Sequence, residues 1–327
     1  MVLKLTQSIA CSQKHKGVVK KFMNFALVFI ASSLSAAHLA LIESWMDDHH
    51  IRFSIKPRWL SPHKAAEILV DDTPRPDQWA SLKALLRPHH IDVLITPTTN
   101  RQKKLLLADM DSTIVTTETL DELSAALGQK ECVSEITTRA MNGEINFHDA
   151  LAERVALLKD LPVGVLDEVL RATRLHEGAV ELISVMKHFG GIAILISSGF
   201  THFTQGISDL VGFHHHHGNQ FEIENGKLTG RVVLPVQDKH TKLELLHFYK
   251  DKMKITGEQI IAVGDGANDI PMLTHAGLGI GYYPKPLVAE AVSNTIEFTD
   301  LKSLLYIQGY SDEHIHHALH SSCKGHA

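Results

Sequence analysis

Two aspartates stand one residue apart in the segment Asp109-Met-Asp-Ser-Thr113, directly after the apolar run Leu105–Ala108. In an extended loop, carboxylates at positions i and i+2 lie so close that a nearby cation is needed to relieve their repulsion. Mg2+ suits that role because it binds a few carboxylates together with water and substrate oxygens. One carboxylate held against Mg2+ and a phosphate can act as a nucleophile, and the other as a general acid and base. Taken alone, an ordinary loop or a helix N-cap explains the pair equally well.

A second group of polar residues follows another apolar run, Ile260–Val263, in the segment Gly264-Asp-Gly-Ala-Asn-Asp269. The two glycines allow a tight turn and a close approach of the backbone. Asp265, Asn268 and Asp269 offer two carboxylates and an amide, a suitable set for completing a Mg2+ site. A glycine-rich turn with a helix cap is the alternative, and the presence of the first aspartate pair makes it the weaker one.

Groups that could hold a phosphate occur in two further places. Ser197-Ser-Gly-Phe200 follows the apolar run Ile192–Ile196 and precedes a predicted helix, whose N-terminal amides can bind phosphate oxygens. Lys242 could neutralise the charge of a transferring phosphoryl group, and Lys239 competes for that role. A serine helix cap and a solvent-exposed helix lysine are the respective alternatives.

The three apolar runs predict the scaffold that brings these residues together. Each run is short and ends in small or acidic residues, as expected of strands buried on both faces of a parallel sheet. The predicted fold class is α/β, a doubly wound parallel sheet, in which ligands bind beyond the carboxyl ends of the strands. Between the first two of these strands the pattern over 119–187 is helical, which predicts an inserted helical cap over the site.

Residues 23–97 predict a separate, smaller α+β domain. The order of its elements, β-α-β-β-α-β, is that of a ferredoxin-like domain. The strands are predicted at 24–31, 51–55, 66–70 and 91–95, the first helix at 34–46, and the second helix with Asp77 as its cap. A linker at 97–101 precedes the larger domain, and a histidine-rich tail at 311–327 follows it.

The first 22 residues form a leader, expected to be loosely ordered, before a start-like Met23. Four lysines, an apolar stretch and small residues over 14–37 together resemble a signal peptide. The alternative, which we prefer, is that the apolar stretch is the first strand of the N-terminal domain, since that domain otherwise lacks one.

The composition fits a globular protein of about two domains in 327 residues. A hydrophobic fraction of 44% and a charged fraction of 21% argue against wholesale disorder, and a net charge of −5 argues against a nucleic-acid partner. No apolar stretch is long enough to predict a membrane span. Three isolated cysteines suit a cytoplasmic location and predict neither disulfide bonds nor a thiolate zinc site.

The 23 histidines include the run His214–His217 and a group in the C-terminal tail. We expect a polar loop and a solvated tail at these places. Metal storage is the alternative, and it is the weaker one because no carboxylate or cysteine of ligand spacing accompanies either cluster.

These motifs together resemble the haloacid dehalogenase superfamily of aspartate-nucleophile phosphatases and, within it, the phosphoserine phosphatase family. The resemblance covers roughly 103–310. Its superfamily marks are the segments that begin at Asp109 and Gly264, and the segments Met141–Phe147 and Arg154–Pro162 single out the family. It implies Mg2+-dependent hydrolysis of O-phospho-L-serine through an aspartyl-phosphate, as the last step of L-serine biosynthesis.

The resemblance also implies a role for each residue at the predicted metal. Asp109 would be the nucleophile, and Asp111 would be the general acid and base. Asp109, Asp265 and the backbone carbonyl of Asp111 would hold Mg2+.

For the substrate, the resemblance implies that the side chains of Ser197 and Lys242 and the amide of Ser198 hold the phosphoryl group, with Asn268 nearby. Lys242 is preferred to Lys239 because the family's lysine stands at the same distance before the motif aspartate.

Glu118 would meet the substrate ammonium and Arg154 its carboxylate. The sequence adds an argument for Arg154, because it lies on the apolar stripe of a helix that Asn146 is predicted to cap. A guanidinium on such a stripe either extends to solvent or meets a buried anion, and its fork of donors matches a carboxylate.

The chain departs from the family at Ser198, where the family usually has glycine, and we expect unchanged or reduced activity because the amide is retained. The four-histidine run has no counterpart in the family. By its order of elements, the N-terminal domain resembles the ACT-like, amino-acid-binding type.

Other functions stay open at this point. They are a phosphatase of the same superfamily for phosphothreonine or a phosphosugar, a non-catalytic amino-acid sensor, and a secreted phosphatase. We expect a small-molecule substrate and neither a nucleic-acid nor a membrane partner, and we leave open a homodimer.

Overall fold

The computed structural model describes residues 24–54, 56–141 and 144–321. The predicted leader and the end of the predicted tail lie outside these residues. No helix in the described ranges is long and apolar enough to cross a membrane.

The strands are β1 (Phe25–Ile30), β2 (Arg58–Ser61), β3 (Ala65–Val70), β4 (Asp92–Pro97), β5 (Leu105–Ala108), β6 (Ile192–Phe200), β7 (His215–Glu224), β8 (Lys227–Val233), β9 (Ile260–Gly264), β10 (Leu278–Tyr282) and β11 (Asn294–Ile296). The helices are α1 (Ala36–Asp48), α2 (Pro76–Leu86), α3 (Thr119–Ala126), α4 (Lys130–Met141), α5 (Phe147–Ala156), α6 (Gly164–Ala172), α7 (Ala179–His188), α8 (Thr201–Val211), α9 (Lys239–Met253), α10 (Ile270–His275), α11 (Pro286–Ala291), α12 (Ser303–Ile307) and α13 (Asp312–Ser321).

The first six elements follow the predicted order β-α-β-β-α-β and form a four-stranded antiparallel sheet in the order β2-β3-β1-β4. Apolar side chains of β1 and β3 pack against α1 and α2, with Leu27, Phe29, Ile42 and Leu82 fully buried. This small core explains why the apolar stretch at 25–30 is a strand. The likeness of this part to amino-acid-binding domains stays a prediction.

Two details of this part were predicted wrongly. Within 51–54 the chain makes only an isolated bridge, Phe53 to Val70, and the second strand lies later, at β2. Ile51 and Phe53 are partly buried against the core, and the amide of Ser54 donates to the Leu69 carbonyl of β3 at 2.7 Å, but the segment does not form a strand. Helix α2 starts at Pro76 with Arg75 as its N-cap, in place of Asp77, because proline is well suited to the first helical turn.

The larger sheet has the strand order β11-β10-β9-β5-β6-β7-β8. All neighbours in it are parallel except β7 and β8, which form an antiparallel hairpin at the Asn225-Gly226 turn. The strands β5, β6 and β9 are buried on both faces between two apolar clusters. The predicted parallel α/β sheet is therefore confirmed.

The stretch between β5 and β6 is helical, as predicted, and consists of α3 to α7. Helix α7 packs against β6, α4 packs against both α3 and α5, and α5 also packs against β8. The segments by which the chain leaves and re-enters the sheet lie side by side. The amide of Thr116 donates a hydrogen bond to the carbonyl of Arg174 at 2.9 Å, and the amide of His176 donates one to the carbonyl of Ile114 at 2.9 Å. This paired connection fixes where the helical insertion starts and ends.

The two sheets meet where β4 lies beside β11. The Asn294 side chain accepts a hydrogen bond from the Ile95 amide at 2.7 Å and donates one to the Ile95 carbonyl at 3.0 Å. The buried Asp92 carboxylate accepts from the amides of Glu297 and Phe298, at 2.8 and 3.2 Å. Side chains thus satisfy backbone groups that an edge strand would leave unpaired.

The expectations for the histidines are corrected. His215–His217 are part of β7, where they pair with Ile194–Ile196 of β6, so the run is a strand and not a polar loop. His217 shares a hydrogen bond of 2.8 Å with Tyr249, and burial lowers the pKa of His217, so its ring is neutral within the sheet. The first part of the predicted solvated tail is helix α13, which buries Ile315 and Ala318.

Candidate active site

The carboxyl ends of β5, β6, β9 and β10 lie side by side and surround a cavity of about 110 Å3. Every predicted site residue lines this cavity except Lys242, which lies behind Asp109. The structure thus brings together residues that are up to 159 positions apart in the chain, because parallel strands place their ends at one edge of the sheet. The predicted residues that line it are Asp109, Asp111, Glu118, Arg154, Ser197, Ser198, Asp265 and Asn268.

Asp109 and Lys242 form a buried ion pair at the bottom of the cavity. Lys242 Nζ lies 2.7 Å from Asp109 Oδ1 and 2.6 Å from Asp269 Oδ1. Burial lowers the pKa of Lys242, but the two carboxylates outweigh it and raise that pKa, so the ammonium stays charged. Burial raises the pKa of Asp109 well above its usual range, and the charge of Asp269 adds to the rise. Asp109 is thus a fixed carboxylate whose charge needs a cation beside it.

The sequence offers Asp269 as a carboxylate for the Mg2+ site, but the resemblance to the family assigns it no role. It is fully buried, and its second oxygen accepts a hydrogen bond from the Gly266 amide at 3.1 Å. A Cβ at position 264 would overlap the Asp269 carboxylate, which explains why glycine stands there. Asp269 therefore holds Lys242 in place and does not face the cavity.

Asp111 is placed to exchange protons with a bound molecule. Its Oδ2 accepts a hydrogen bond from Ser197 Oγ at 3.0 Å, and its Oδ1 accepts one from the Thr119 amide at 2.8 Å. Burial, together with the nearby charge of Glu118, raises the pKa of Asp111 to about 6. The carboxyl can therefore be either protonated or ionised near neutral pH, which a general acid and base requires.

Ser197 is nearly fully buried, and its Oγ accepts a hydrogen bond from the Gly199 amide at 2.7 Å. A Cβ at position 199 would come within 2.9 Å of Ser197 Oγ and 3.0 Å of Asp111 Oδ2. Glycine is needed here because the backbone passes close to both groups. The neighbouring Ser198 also lines the cavity, and its hydroxyl is buried without a hydrogen-bond partner among the described residues.

Three buried carboxylates, Asp109, Asp265 and Asp269, could hold a metal ion, because their ligand oxygens lie within 4.8 Å of one another. We call them the acidic cluster. Burial raises the pKa of Asp265, and Asp269 contributes to the rise. A divalent cation would relieve this repulsion, so the residues fit the predicted Mg2+. Asp269 is the least suited ligand of the three because Lys242 and Gly266 already engage both its oxygens.

Glu118 and Arg154 reach the cavity from the helical insertion. Glu118 is the N-cap of α3, and its Oε1 accepts a hydrogen bond from Ser112 Oγ at 2.8 Å. Arg154 lies on α5, whose N-cap is Asn146 as predicted. Burial lowers the pKa of Arg154, with Asp121 and Glu118 opposing the change. The helical insertion therefore contributes one acidic and one half-buried basic residue to the cavity.

Sequence reasoning missed one charged residue of this cavity, Lys285. It follows β10, and its Nζ lies 3.1 Å from Asp265 Oδ2 and 3.6 Å from Glu118 Oε1. A signal was available, because Lys285 follows a short apolar strand just as the predicted residues do. Phe147 and Leu151 of α5 also line the cavity and supply an apolar wall.

Comparisons with known proteins agree with this geometry. The sequence model of the haloacid dehalogenase-like hydrolases matches residues 106–274. A phosphoserine phosphatase of Archaeoglobus fulgidus is 41% identical over 216 residues, which cover 65% of this chain and 63% of the relative. The match therefore spans less than two thirds of that relative's own length.

Two solved structures are also similar. A probable phosphoserine phosphatase of Vibrio cholerae, in unliganded form, superposes with a TM-score of 0.71 at 28% identity, covering 91% of this chain and 89% of that one. A structure described as a phospho-aspartyl intermediate analogue of phosphoserine phosphatase has a TM-score of 0.59 at 38% identity, covering 63% of this chain and 98% of that one. With the family model matched over more than half of its length, the chain belongs to the haloacid dehalogenase-like hydrolases and, among them, to the phosphoserine phosphatase family.

Proposed function

We propose that the protein hydrolyses O-phospho-L-serine to L-serine and phosphate, through an aspartyl-phosphate and with Mg2+ as cofactor. The observation that carries the proposal is the content of one small cavity. It combines the Asp109 carboxylate, the Ser197 hydroxyl, the acid Glu118 and the base Arg154. These groups match a substrate with a phosphate, an ammonium and a carboxylate. A similar protein whose structure is described as a phospho-aspartyl intermediate analogue supports the chemistry.

In the first step an oxygen of Asp109 attacks phosphorus, and the bond from phosphorus to the serine oxygen breaks. Asp111, in its protonated form, gives its proton to that serine oxygen, and L-serine leaves. Lys242, 2.7 Å from Asp109 Oδ1, keeps the attacking carboxylate in place and offsets the negative charge that collects around phosphorus.

In the second step water attacks the phosphorus of the aspartyl-phosphate. Asp111, now ionised, takes a proton from that water, and the bond from phosphorus to the Asp109 oxygen breaks. Phosphate leaves, and both aspartates return to their starting states. Ser197, the amide of Ser198 and Asn268 bind the phosphoryl oxygens through both steps.

Asp109, Asp265 and the backbone carbonyl of Asp111 would hold Mg2+. When bound, the ion offsets negative charge on the phosphoryl group. The proposal is supported by the acidic cluster, in which two residues of this set already lie together.

Glu118 binds the substrate ammonium and Arg154 its carboxylate. Both residues belong to the helical insertion, and the phosphoryl-binding groups belong to the sheet. A substrate bound at both ends therefore joins the two parts and keeps water away from the reacting phosphorus until the serine has left.

The wider setting is also part of the proposal. The reaction would be the last step of L-serine biosynthesis in the cytoplasm. The chain would consist of an accessory ACT-like domain at 23–97 and a phosphatase domain at 103–310, with a cap at about 117–187.

The test is phosphate release from a panel of phosphomonoesters in the presence of Mg2+. O-phospho-L-serine is compared with phosphoethanolamine, which lacks the carboxylate, with 3-phosphoglycerate, which lacks the ammonium, and with O-phospho-L-threonine and glucose 6-phosphate. We expect phosphoserine to have the highest kcat/KM by at least about tenfold, since each missing charge leaves Glu118 or Arg154 unpaired. Faster turnover of another ester would support the proposed reaction but would show that phosphoserine is not the preferred substrate. No turnover of any ester would favour a non-catalytic sensor.

A further inference from the structure

The proposed reaction leaves Lys285 without a role, although it reaches into the site. Its backbone amide donates to the Asp265 carbonyl at 2.9 Å, which fixes where the side chain begins. Its Nζ contacts Asp265 Oδ2 at 3.1 Å, and Glu118 Oε1 lies 3.6 Å away. The side chain is 55% exposed, so its ammonium can move between these two carboxylates without disturbing the core.

The balance of charge around the acidic cluster explains why a lysine belongs here. Lys242 is shared between Asp109 and Asp269. The other side-chain contact of Asp265 is the neutral hydroxyl of Thr113, at 3.0 Å. Among the described residues, Lys285 is therefore the one cation in contact with Asp265. Without it, a carboxylate that is 5% exposed would lie unpaired beside two others, which is costly.

We propose that Lys285 is the counter-cation of the metal-free site, which neutralises Asp265 until a divalent cation binds and then moves to Glu118. An ammonium and a divalent cation repel each other and cannot both contact the same carboxylate at full strength. The inference rests on the proposed function, because it takes Asp265 as a ligand of Mg2+. Glu118 provides the alternative partner of Lys285 in the metal-bound protein before substrate binds, and the substrate ammonium then replaces Lys285 at Glu118.

The consequence is that Lys285 competes with the metal. A neutral side chain at this position removes the competitor and adds one net negative charge to the site. The metal-free protein should then be less stable, and its affinity for Mg2+ should be higher. For charges about 4 Å apart in a water-like medium, the expected gain in affinity is about five- to thirtyfold.

The experiment is calorimetric titration of Mg2+ into protein stripped with EDTA, without substrate. We expect Lys285→Met to bind Mg2+ about five- to thirtyfold more tightly than the wild type, and Lys285→Arg, which keeps the charge, to stay within about threefold. Lys302→Met is the matched control, since Lys302 lies 3.5 Å from Asp300 outside this cavity. Its Mg2+ affinity should not change.

Thermal unfolding supplies a second readout that does not depend on activity. Without metal, Lys285→Met should melt below the wild type, and saturating Mg2+ should raise its melting temperature by more than it raises that of the wild type. Unchanged Mg2+ affinity in Lys285→Met would show that the exposed lysine takes no part. Weaker Mg2+ binding would show that Lys285 holds Asp265 in place for the metal. Either result would overturn the proposal.

The two proposals fail in different ways. A wild-type protein that binds Mg2+ and hydrolyses phosphoserine, with Lys285→Met unchanged in affinity, would overturn this inference alone. If the wild type hydrolyses a different ester and Lys285→Met shows the predicted gain in Mg2+ affinity, only the proposed substrate is wrong. A wild type that binds no Mg2+ would overturn both.

Discussion

At the scale of single residues, the site depends on buried charges that neutralise one another. Lys242 is 1% exposed and lies between Asp109 and Asp269, so its ammonium has a fixed position with respect to the Asp109 carboxylate. The sequence could not distinguish this lysine from a solvent-exposed one, because burial and pairing depend on β9 lying next to β5. That adjacency is a property of the fold and not of the spacing.

Substitution of Gly199 tests how tightly the backbone surrounds the proposed phosphoryl-binding groups. We expect Gly199→Ala to lower kcat for phosphoserine by at least about tenfold, because its Cβ would press on Ser197 Oγ and Asp111 Oδ2. Gly164→Ala, on α6, is the matched control, since a Cβ there meets nothing within 4 Å. Steady-state kinetics and thermal unfolding of both variants would check this. Full activity in Gly199→Ala would contradict the assigned geometry.

Substitution of Arg154 tests how the proposed substrate is recognised. We expect Arg154→Ala to lower kcat/KM for phosphoserine by about a hundredfold or more, because the substrate carboxylate loses a charged two-pronged partner. Hydrolysis of p-nitrophenyl phosphate, which has no carboxylate, should change by less than about threefold. Arg139→Ala is the control, because Arg139 pairs with Glu153 and does not line the cavity. Equal losses on the two substrates would refute the carboxylate role.

At the scale of elements, the strand ends and the helical insertion contribute different groups of residues to the site. The strand ends carry the residues that would act on phosphorus, whereas the N-cap of α3 and helix α5 carry those that would recognise serine. The sequence predicted this division because apolar runs that end in polar residues can be recognised one by one. It failed where a strand has a polar sequence, as in His215–His217, since hydrophobic pattern is the main signal for a strand.

The contact between β4 and β11 is also testable at this scale. Asn294→Ala would remove both side-chain hydrogen bonds to Ile95 and leave the partly buried amide and carbonyl of Ile95 unpaired. We expect a loss of unfolding free energy of about 2–4 kcal/mol, measured by denaturant unfolding. Lys250→Ala, which removes only an exposed ion pair, should change stability by less than about 0.5 kcal/mol. A similarly small change in Asn294→Ala would show that this contact does not stabilise the fold.

At the scale of the whole molecule, the sequence predicted the parallel sheet, the helical insertion and the charged residues around the cavity apart from Lys285. The motifs carry that information because each is short and attached to a strand end. The partners of those residues were harder to predict. Lys285 and Asp269 act through contacts with Asp265 and Lys242 that only the assembled sheet creates.

We expect Asp109 to perform an Mg2+-dependent hydrolysis of O-phospho-L-serine. The most direct measurement is phosphate release by the wild type and by Asp109→Asn, each with Mg2+ and with EDTA, after circular dichroism has shown both to be folded. We predict release by the wild type with Mg2+ alone, and a loss of at least about a thousandfold in the variant, since an amide is a poor nucleophile. Hydrolysis that persists in Asp109→Asn, or that EDTA leaves unchanged, would contradict the account.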